Sequence, residues 1–390
     1  MRFQTTVALF GLVSIAGCQS TQPSQTVSKA NQATSSSNVI VGKSAHDFSD
    51  DDIQVPAYFN TQGLQFCSYE AVETDSRCPL ARKTIRVHFN DINTQLNRGE
   101  QQSSGKVFDA LHTSVNSFNV DGLVTALENQ FAGVNRFRII TADSNAVNQS
   151  LERILAEEGA NQVAERNSQR AAVSTDYVMA IDVTKSADMM FGAEQSLFHS
   201  SMDMSTGFID PYTRERLSYP NIGRTTTSNF DVRPKGDFAS IIVNGNYYRG
   251  FNYTSPQDVS GVMADMATRS FDVMLSRLLT EMPATSQVLG IRGNQISLDR
   301  GQNAGILPNE TMVIFEYSAG FVEPIGVASV TPSMQSAQGN MVRWKNDNIA
   351  KNIQSEAQKG IYQPDRNRQL FAVSVGVPQQ FLEERSTWTN

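Results

Sequence analysis

The sequence predicts an α+β protein in which a mixed α/β domain is followed by a small, mostly-β domain. Between positions 83 and 282, apolar residues recur at alternate positions, as in strands, or every three to four positions, as in helices. A long helical stripe then ends at Pro283. Beyond this proline, short apolar runs are separated by Gly, Pro and Asn, which is typical of a small barrel or sandwich.

The composition sets limits on the class of protein. The chain has 390 residues, a formal net charge of −7 and 39% hydrophobic residues. At roughly 100–200 residues per domain, this length is enough for two or three domains with hydrophobic cores. The acidic balance argues against nucleic acid as the main partner. We therefore expect a folded protein and exclude a disordered chain, a collagen and a polytopic membrane protein.

The N-terminus resembles the signal peptide of a bacterial lipoprotein. Arg2 supplies a positive charge, and the apolar stretch at 7–15 is shorter than the roughly 20 residues that span a bilayer. The run SIAGC at 14–18 then places small residues before a cysteine. The resemblance implies that residues 1–17 are removed and that Cys18 carries the lipid. An ordinary secretory signal and a buried first helix are the alternatives.

Residues 18–38 are expected to form the lipidated cysteine and a flexible tether. The segment from Gln19 onwards is rich in Ser, Thr and Gln and almost free of apolar residues, so it cannot bury enough surface to offset chain entropy. Gln19 also stands where enterobacterial lipoproteins held in the inner membrane have Asp. The resemblance implies an outer-membrane lipoprotein that faces the periplasm.

Cys67 and Cys78 remain as an even pair once Cys18 is assigned to the lipid. An oxidising periplasm permits a disulfide, which would contribute roughly 2–3 kcal/mol by closing a short loop. Two free thiols and a partial metal site are the alternatives. Because no histidine is near and the spacing is not C-x₂₋₄-C, we expect no metal there.

The elements of the α/β domain are predicted in the order strand, helix, strand, helix, strand, hairpin and long helix. Strands are expected at 84–89, 136–141 and 177–183. The first helix carries Leu123, Val124, Leu127 and Phe131, and the second carries Val147, Leu151, Ile154 and Leu155. Asn244-Gly245 is the strongest hairpin signal, because both turn positions favour φ > 0. Ser255 and Pro256 then cap the long helix.

The small β domain is predicted from five apolar runs at 288–291, 295–298, 312–317, 325–330 and 371–375. The predicted organisation is a signal peptide (1–17), a lipidated Cys18 with its tether (18–38), an irregular or small α/β lead-in with the disulfide (39–82), the α/β domain (83–282), the small β domain (283–378) and a C-terminal tail (379–390).

The runs at 137–140, 154–158 and 175–179 resemble segments of the curli-secretion protein CsgG, the N-terminal domain of TolB and the middle domain of the flagellar assembly protein FlgT. The segments 287–301, 304–306 and 313–315 look like the small β domain, an SH3-like barrel or sandwich, that closes FlgT. The pairing of both domains favours FlgT-like proteins. FlgT-type proteins are typically soluble in the periplasm, whereas this chain carries a lipoprotein signal.

No catalytic, cofactor-binding or metal-binding residues are expected. Val41-Gly42-Lys43-Ser44 has the end of a phosphate-binding P-loop, but Ser37 stands where the first glycine belongs. The S-x-x-K run at 103–106 lacks its companion motifs. The four histidines are scattered, and nothing in the sequence assembles an acid, a base and a nucleophile.

The resemblance implies a non-catalytic assembly or scaffold component of an envelope machine, most closely a flagellar basal-body ring. A CsgG-type oligomeric secretion channel and a lipoprotein regulator of a peptidoglycan synthase are the alternatives. Expected partners are the membrane, through the lipid, and further copies or other envelope proteins, with neither nucleic acid nor a small-molecule substrate.

Four aromatic residues near the predicted hairpin are the candidate contacts with a partner: Tyr247, Tyr248, Phe251 and Tyr253. The hairpin offers only about seven residues a side, fewer than the roughly 9–11 of a transmembrane β-strand. A hairpin of a soluble sheet is therefore favoured over one inserted in lipid.

Overall fold

A computed structural model describes residues 39–57, 59–67, 78–98, 113–116, 118, 121–140, 175–191, 196–217, 223–243, 245–252 and 256–385. The signal peptide with Cys18, the helix expected from Val147, the S-x-x-K run and Tyr253 lie outside these residues. The described residues form a mixed sheet with helices on one face and a closed barrel. The predicted α+β class is confirmed, and of the two predicted forms of the small β region the structure has the barrel.

The α/β sheet contains eight described strands. They are β1 (Thr84–Arg98), β2 (Arg138–Ile140), β3 (Tyr177–Phe191), β4 (Ser196–Ile209), β5 (Arg216–Leu217), β6 (Arg224–Ser228), β7 (Phe238–Val243) and β8 (Asn246–Asn252). The order is β2-β1-β3-β4-β8-β7, with β5 and β6 also paired to β4. β1 is parallel to β2 and β3, and the other pairs are antiparallel. β1 and β3 run well past the predicted strands.

Helices α1 (Asp121–Val134) and α2 (Pro256–Glu281) pack on one face of this sheet. Alternate residues of each strand point toward them, as with Ile85 and Val87 of β1, and these side chains share a core with Phe131 and Phe271. Each such fully buried side chain contributes about 1.5–3 kcal/mol. α2 begins at Pro256 and ends before Met282, as the sequence predicts.

The C-terminal strands close into a six-stranded antiparallel barrel. They are β9 (Thr285–Arg292), β10 (Gln295–Leu298), β11 (Glu310–Ser318), β12 (Phe321–Pro332), β13 (Ala337–Trp344) and β15 (Gln369–Ser374), and β14 (Ile361–Tyr362) adds to the end of β9. Each barrel strand pairs on both sides in the cycle β9-β10-β13-β12-β11-β15. Closure removes the free edges that an open sheet would present.

Two short helices complete the C-terminal region. α3 (Asn348–Lys359) is capped by Asp347, whose Oδ1 accepts from the Ala350 amide at 2.8 Å. Its buried residues Ala350, Ile353 and Ala357 pack into the barrel core. α4 (Gln379–Arg385) follows the last strand. Neither α3 nor β13 was among the elements predicted from the sequence.

The lead-in segment packs on the outside of the barrel. Its described residues at 45–57, 59–67 and 78–80 are irregular apart from two short 3₁₀ turns, and their buried side chains include Phe48, Ile53 and Leu64. They cover outward-facing residues of β11, β12 and β15, among them Phe315 and Phe371. The barrel therefore has two apolar layers, one inside its wall and one between its wall and a segment far away in sequence.

A buried ion pair joins the barrel to the α/β sheet. Arg136 donates through Nη2 to Glu310 Oε1 at 2.7 Å, and both side chains are almost completely buried. Arg136 also donates to the carbonyls of Gly305 and Leu279. Gly305 has φ +71°, and a Cβ there would lie 2.5 Å from Arg136 Cα. The barrel region and α2 therefore both bind the guanidinium group of Arg136.

The first described residues are tied to this same junction. The Ile40 amide donates to Ser276 Oγ in α2 at 3.0 Å, and the Gly42 amide donates to the Val377 carbonyl at 2.7 Å. Gly42 and Gly376 approach so closely that a Cβ on Gly376 would lie 2.5 Å from Gly42 Cα. Residues 40–42 therefore bind both α2 and the segment that follows the barrel.

Candidate interaction surface

Among the described residues, the β7–β8 hairpin pairs with the rest of the α/β sheet only at its base. The two strands pair from Phe238↔Phe251 to Val243↔Asn246, but β8 pairs with β4 only at Phe251 and Asn252. Gly245 occupies the turn with φ +80°, which confirms the predicted hairpin. The rest of the hairpin is a two-stranded ribbon, and β7 is the last strand of the sheet. Such an edge offers backbone groups to another chain.

One face of the hairpin runs from a buried base to an exposed tip. We call it the hairpin face, and it comprises Phe238, Ser240, Ile242, Tyr247, Arg249 and Phe251. The cross-strand partners Ile242 and Tyr247 are 74% and 67% exposed. The hydroxyls of Tyr247 and Ser240 lie 2.6 Å apart, which orients the phenol along the ribbon. Two large side chains are thereby presented to solvent at the tip.

The structure places the four predicted contact residues differently. Tyr247 is exposed at the tip and Tyr248, on the opposite face, is half-buried. Phe251 is buried in the core of the α/β sheet, so its side chain packs inside the protein rather than facing a partner. Tyr253 lies outside the described residues. Ile242, which the sequence analysis did not select, is the more exposed member of the tip pair.

An aromatic and cationic cluster supports the middle of the hairpin face. The rings of Phe230 and Phe238 are stacked with centroids 4.4 Å apart, and the guanidinium of Arg249 lies 5.9 and 5.7 Å from their centroids. His199 lies against Phe230 at 5.2 Å. The alternation of Phe238 and Ser240 places them on one face, but the sequence gives no local signal that Phe230 joins them.

The predicted disulfide between Cys67 and Cys78 is present. The two Cα atoms are 5.0 Å apart, and both side chains are buried. The disulfide belongs to the apolar layer between the lead-in and the barrel, beside Leu64 and Leu80. It therefore links the two parts of the lead-in that end at Cys67 and begin at Cys78, both of which pack against the barrel.

The polar motifs considered in the sequence analysis have the following surroundings in the structure. The described residues contain no set of three or more His, Cys, Asp or Glu side chains placed to hold a metal ion. In the P-loop-like run, Lys43 Nζ is paired with Asp52 at 2.6 Å, and the Gly42 amide is already bonded to Val377. That amide and that ammonium are therefore engaged within the protein. His46 and His88 are exposed.

Lys185 is a lysine whose side chain is buried in the α/β sheet. It lies on the buried face of β3, and burial lowers the pKa of its ammonium group. Its Nζ donates to the Val115 carbonyl at 2.7 Å, which fastens the short helical turn at 113–116 to the sheet. A catalytic lysine needs a cavity for substrate, whereas this one is surrounded by core residues.

A cavity of about 280 Å³ lies between the α/β sheet and the barrel, with Lys83, Arg136 and Arg300 in its wall. Arg136 is held by Glu310, and Arg300 Nη1 donates to the Leu80 carbonyl. Arg136 and Arg300 therefore each connect separate segments of the protein. Among the described residues, no helix is both long and apolar enough to cross a membrane.

Comparisons with known proteins add little to this description. No protein-family model matches the chain, and no curated protein matches it. Among solved structures, it is similar to lipoprotein GNA1162 from Neisseria meningitidis, with 15% identity over 37% of this chain and 82% of that one, and a TM-score of 0.15. A likeness of that size supports no argument about fold or function.

Proposed function

We propose that this protein is a lipid-anchored, non-catalytic scaffold of the bacterial envelope, held in the outer membrane and facing the periplasm. A ring of the flagellar basal-body type is the assembly that its sequence resemblance favours. The observation that carries the proposal is the SIAGC run at 14–18, which follows a short apolar stretch and precedes a polar tether. A lipidated cysteine followed by a flexible segment is a way to hold a folded body near a bilayer.

The engagement of the buried charges supports a scaffold over an enzyme. Arg136 and Glu310 hold the two sheets together, Lys185 holds a helical turn, and Arg300 holds the lead-in. An active site needs polar groups that converge on a substrate-sized space, with pKa values tuned for proton transfer. The charged groups described here converge on backbone carbonyls and on each other instead.

The path of the chain supports a mechanical role. The chain enters the described structure through Ile40 and Gly42, which bond to α2 and to the segment after the barrel. A pull transmitted along the tether would thus be shared by both sheets. The hairpin face lies on the α/β sheet, where it is available for contact with another copy or another envelope protein.

The anchor is tested by replacing Cys18 with Ser in the full chain and separating membrane from soluble periplasmic fractions. We expect the wild-type chain in the outer-membrane fraction, labelled by radioactive palmitate, and the C18S variant unlabelled in the soluble fraction. Ser20→Ala is the matched control, because it changes the tether and leaves the SIAGC run intact. A C18S chain that stays in the membrane would reject the lipid anchor.

One observation favours a second candidate, an oligomeric secretion channel. The hairpin ends in an exposed Ile242–Tyr247 pair, and apolar and aromatic hairpins are what an oligomer would contribute to a membrane pore. The full chain reconstituted in liposomes distinguishes the two functions. Stepwise ionic conductance that is lost in an I242S/Y247S variant would favour the channel, and membrane association without conductance would favour the scaffold.

A further inference from the structure

The outer wall of the barrel carries a groove of about 690 Å³, and His46 of the lead-in lies in its wall. Its floor is formed by β10, β13 and β12. A volume of this size lies within the range of about 300–1,000 Å³ that is usual for ligand sites. The groove is separate from the hairpin face, which belongs to the other sheet.

The floor of the groove is a regular array of neutral polar side chains, which we call the polar grid. It consists of two rows that cross the three strands, Gln295–Asn340–Ser329 and Ser297–Gln338–Thr331. The residues between the two rows in β10 and β12, Ile296 and Val330, are buried in the barrel. The grid residues therefore all point outward, with neighbouring strands about 4.8 Å apart.

The polar grid has hydrogen-bonding capacity that the protein does not use. In the described parts of the chain, the side chains of Ser297, Ser329, Thr331, Gln338 and Asn340 make no hydrogen bond to another protein group. Gln295 accepts one bond, from Arg292 at 3.2 Å. Hydroxyl and amide groups donate and accept at once. The grid therefore offers both kinds of bond over its whole area.

The groove is almost free of charge. Arg292 is its one Lys, Arg, Asp or Glu lining residue, whereas a typical soluble surface is about 25–35% charged. At one end, Leu289 and Ile361 expose apolar side chains on either side of Gly290. A ligand that matches this groove is neutral, rich in groups that both donate and accept, and apolar along one side.

We propose that the polar grid binds a neutral oligosaccharide. Sugar hydroxyls donate and accept as the grid does, and the C–H face of a sugar ring suits Leu289 and Ile361. An extended peptide recognised by strand addition needs an open sheet edge, which the closed β10–β13–β12 wall lacks. A nucleic acid or another polyanion needs several cations, and the described lining of the groove supplies only Arg292 and His46. The proposal does not depend on the lipid anchor.

The test is to titrate the detergent-solubilised full chain with chitotetraose and, separately, with maltotetraose. Binding is monitored by the NMR chemical shifts of the backbone amides and by calorimetry. We expect saturable binding of at least one of them, with the largest shifts at Ser297, Ser329 and Asn340. A Q338A/N340A variant should bind at least tenfold more weakly, because two exposed side chains that contact the sugar are removed. N352A/Q358A is the matched control, since both residues are exposed on α3 and outside the groove.

Three outcomes would overturn the proposal. The first is that neither oligosaccharide binds saturably up to 20 times the concentration used for a standard lectin control. The second is that binding occurs but is unchanged in Q338A/N340A while the control variant also binds normally. The third is that a neutral tetrapeptide shifts the grid amides and neither sugar does, which would assign the groove to peptides. Loss of membrane anchoring by C18S would leave the result unaffected.

Discussion

In the barrel every strand from β9 to β13, and β15, has a neighbour on each side, whereas the α/β sheet ends in β7 with one edge unpaired among the described residues. The lead-in covers one outer apolar patch of the barrel, although Phe321 stays exposed, while the α/β sheet leaves the cross-strand pair Ile242 and Tyr247 in solvent. Closed sheets avoid unwanted pairing, and open edges invite it. We therefore expect the barrel to be stable without contacts to other chains. The α/β sheet is the part that we expect to contact them.

The largest loss of stability should follow from breaking the Arg136–Glu310 pair, which joins the barrel to the α/β sheet. Arg136→Ala leaves the Glu310 carboxylate buried without its cation, and we expect a loss of about 3–5 kcal/mol in the free energy of unfolding. Urea unfolding measures it, with far-UV circular dichroism for the whole chain and Trp344 fluorescence for the barrel in a Trp388→Phe background. If the pair couples the two sheets, the two signals should separate in the variant.

The control for this prediction is the double variant R136M/E310L, which removes both charges and keeps apolar volume. It should lose much less stability than R136A, because no buried charge is left unpaired. A single variant that loses under about 1 kcal/mol, or signals that stay superimposed, would contradict the coupling of the two sheets through this pair.

The next effect should come from the Cys67–Cys78 disulfide and should be confined to the barrel. The double replacement C67S/C78S opens an 11-residue separation, and we expect a loss of about 2–3 kcal/mol. Trp344 fluorescence should show the loss in urea before circular dichroism does, because the disulfide lies in the apolar layer between the lead-in and the barrel. An equal shift of both signals would show that the lead-in supports the α/β sheet as well.

Substitution of the exposed hairpin pair should change association and leave stability almost unaltered. In I242S/Y247S both side chains are already in solvent, so the free energy of unfolding should change by no more than about 0.5 kcal/mol. Sedimentation velocity of the full chain should show weaker self-association. Phe321→Ser, which alters a 72% exposed residue of the closed barrel, is the control and should leave association unchanged. Equal effects would remove the distinction between the two sheets.

The smallest effect on stability should come from the surface ion pair between Lys43 and Asp52, both of which belong to the lead-in. The ammonium of Lys43, with the Ser49 hydroxyl and amide, holds the pKa of the Asp52 carboxyl far below its ordinary value. Because the folded pKa lies below the unfolded one, the stabilisation is present above about pH 4 and is lost as the pH falls further. Salt should weaken it, since the carboxylate is in solvent.

Thermal unfolding of D52N and wild type from pH 2 to pH 8 measures this contribution. The difference between their midpoints should be small at pH 7 and should shrink below about pH 4. Asp51→Asn is the matched control, because the structure engages only the backbone carbonyl of Asp51. A difference that grows at low pH would contradict the assigned direction of the Asp52 pKa.

Local patterns predicted the elements that local chemistry decides. Pro256 and Pro283 bracket α2, Gly245 marks the hairpin turn, and β10 has the residues expected from its alternation. The signal for α3 was also present, since Asp347 precedes apolar residues at helical spacing, but the sequence analysis did not use it. For these elements the information lies within about ten neighbouring residues.

Contacts between distant segments could not be predicted in the same way. Both faces of β11 and β15 are apolar, so the sequence shows neither that Phe315 and Phe371 face out of the barrel wall nor that Phe48 and Leu64 cover them. The same limit applies to the hairpin. Its turn shows that Tyr247 is near the tip, whereas the burial of Phe251 depends on where β4 meets β8.

The cover of the barrel has a consequence for how the chain is made. Phe48 and Leu64 leave the ribosome long before their partner Phe371. At about 5–20 residues per second, translation separates Leu64 from Phe371 by about 15–60 s. During that delay the nascent lead-in exposes apolar side chains that β15 does not yet cover. A premature stop before β15 would therefore leave apolar side chains of the lead-in exposed, as well as disrupting the barrel.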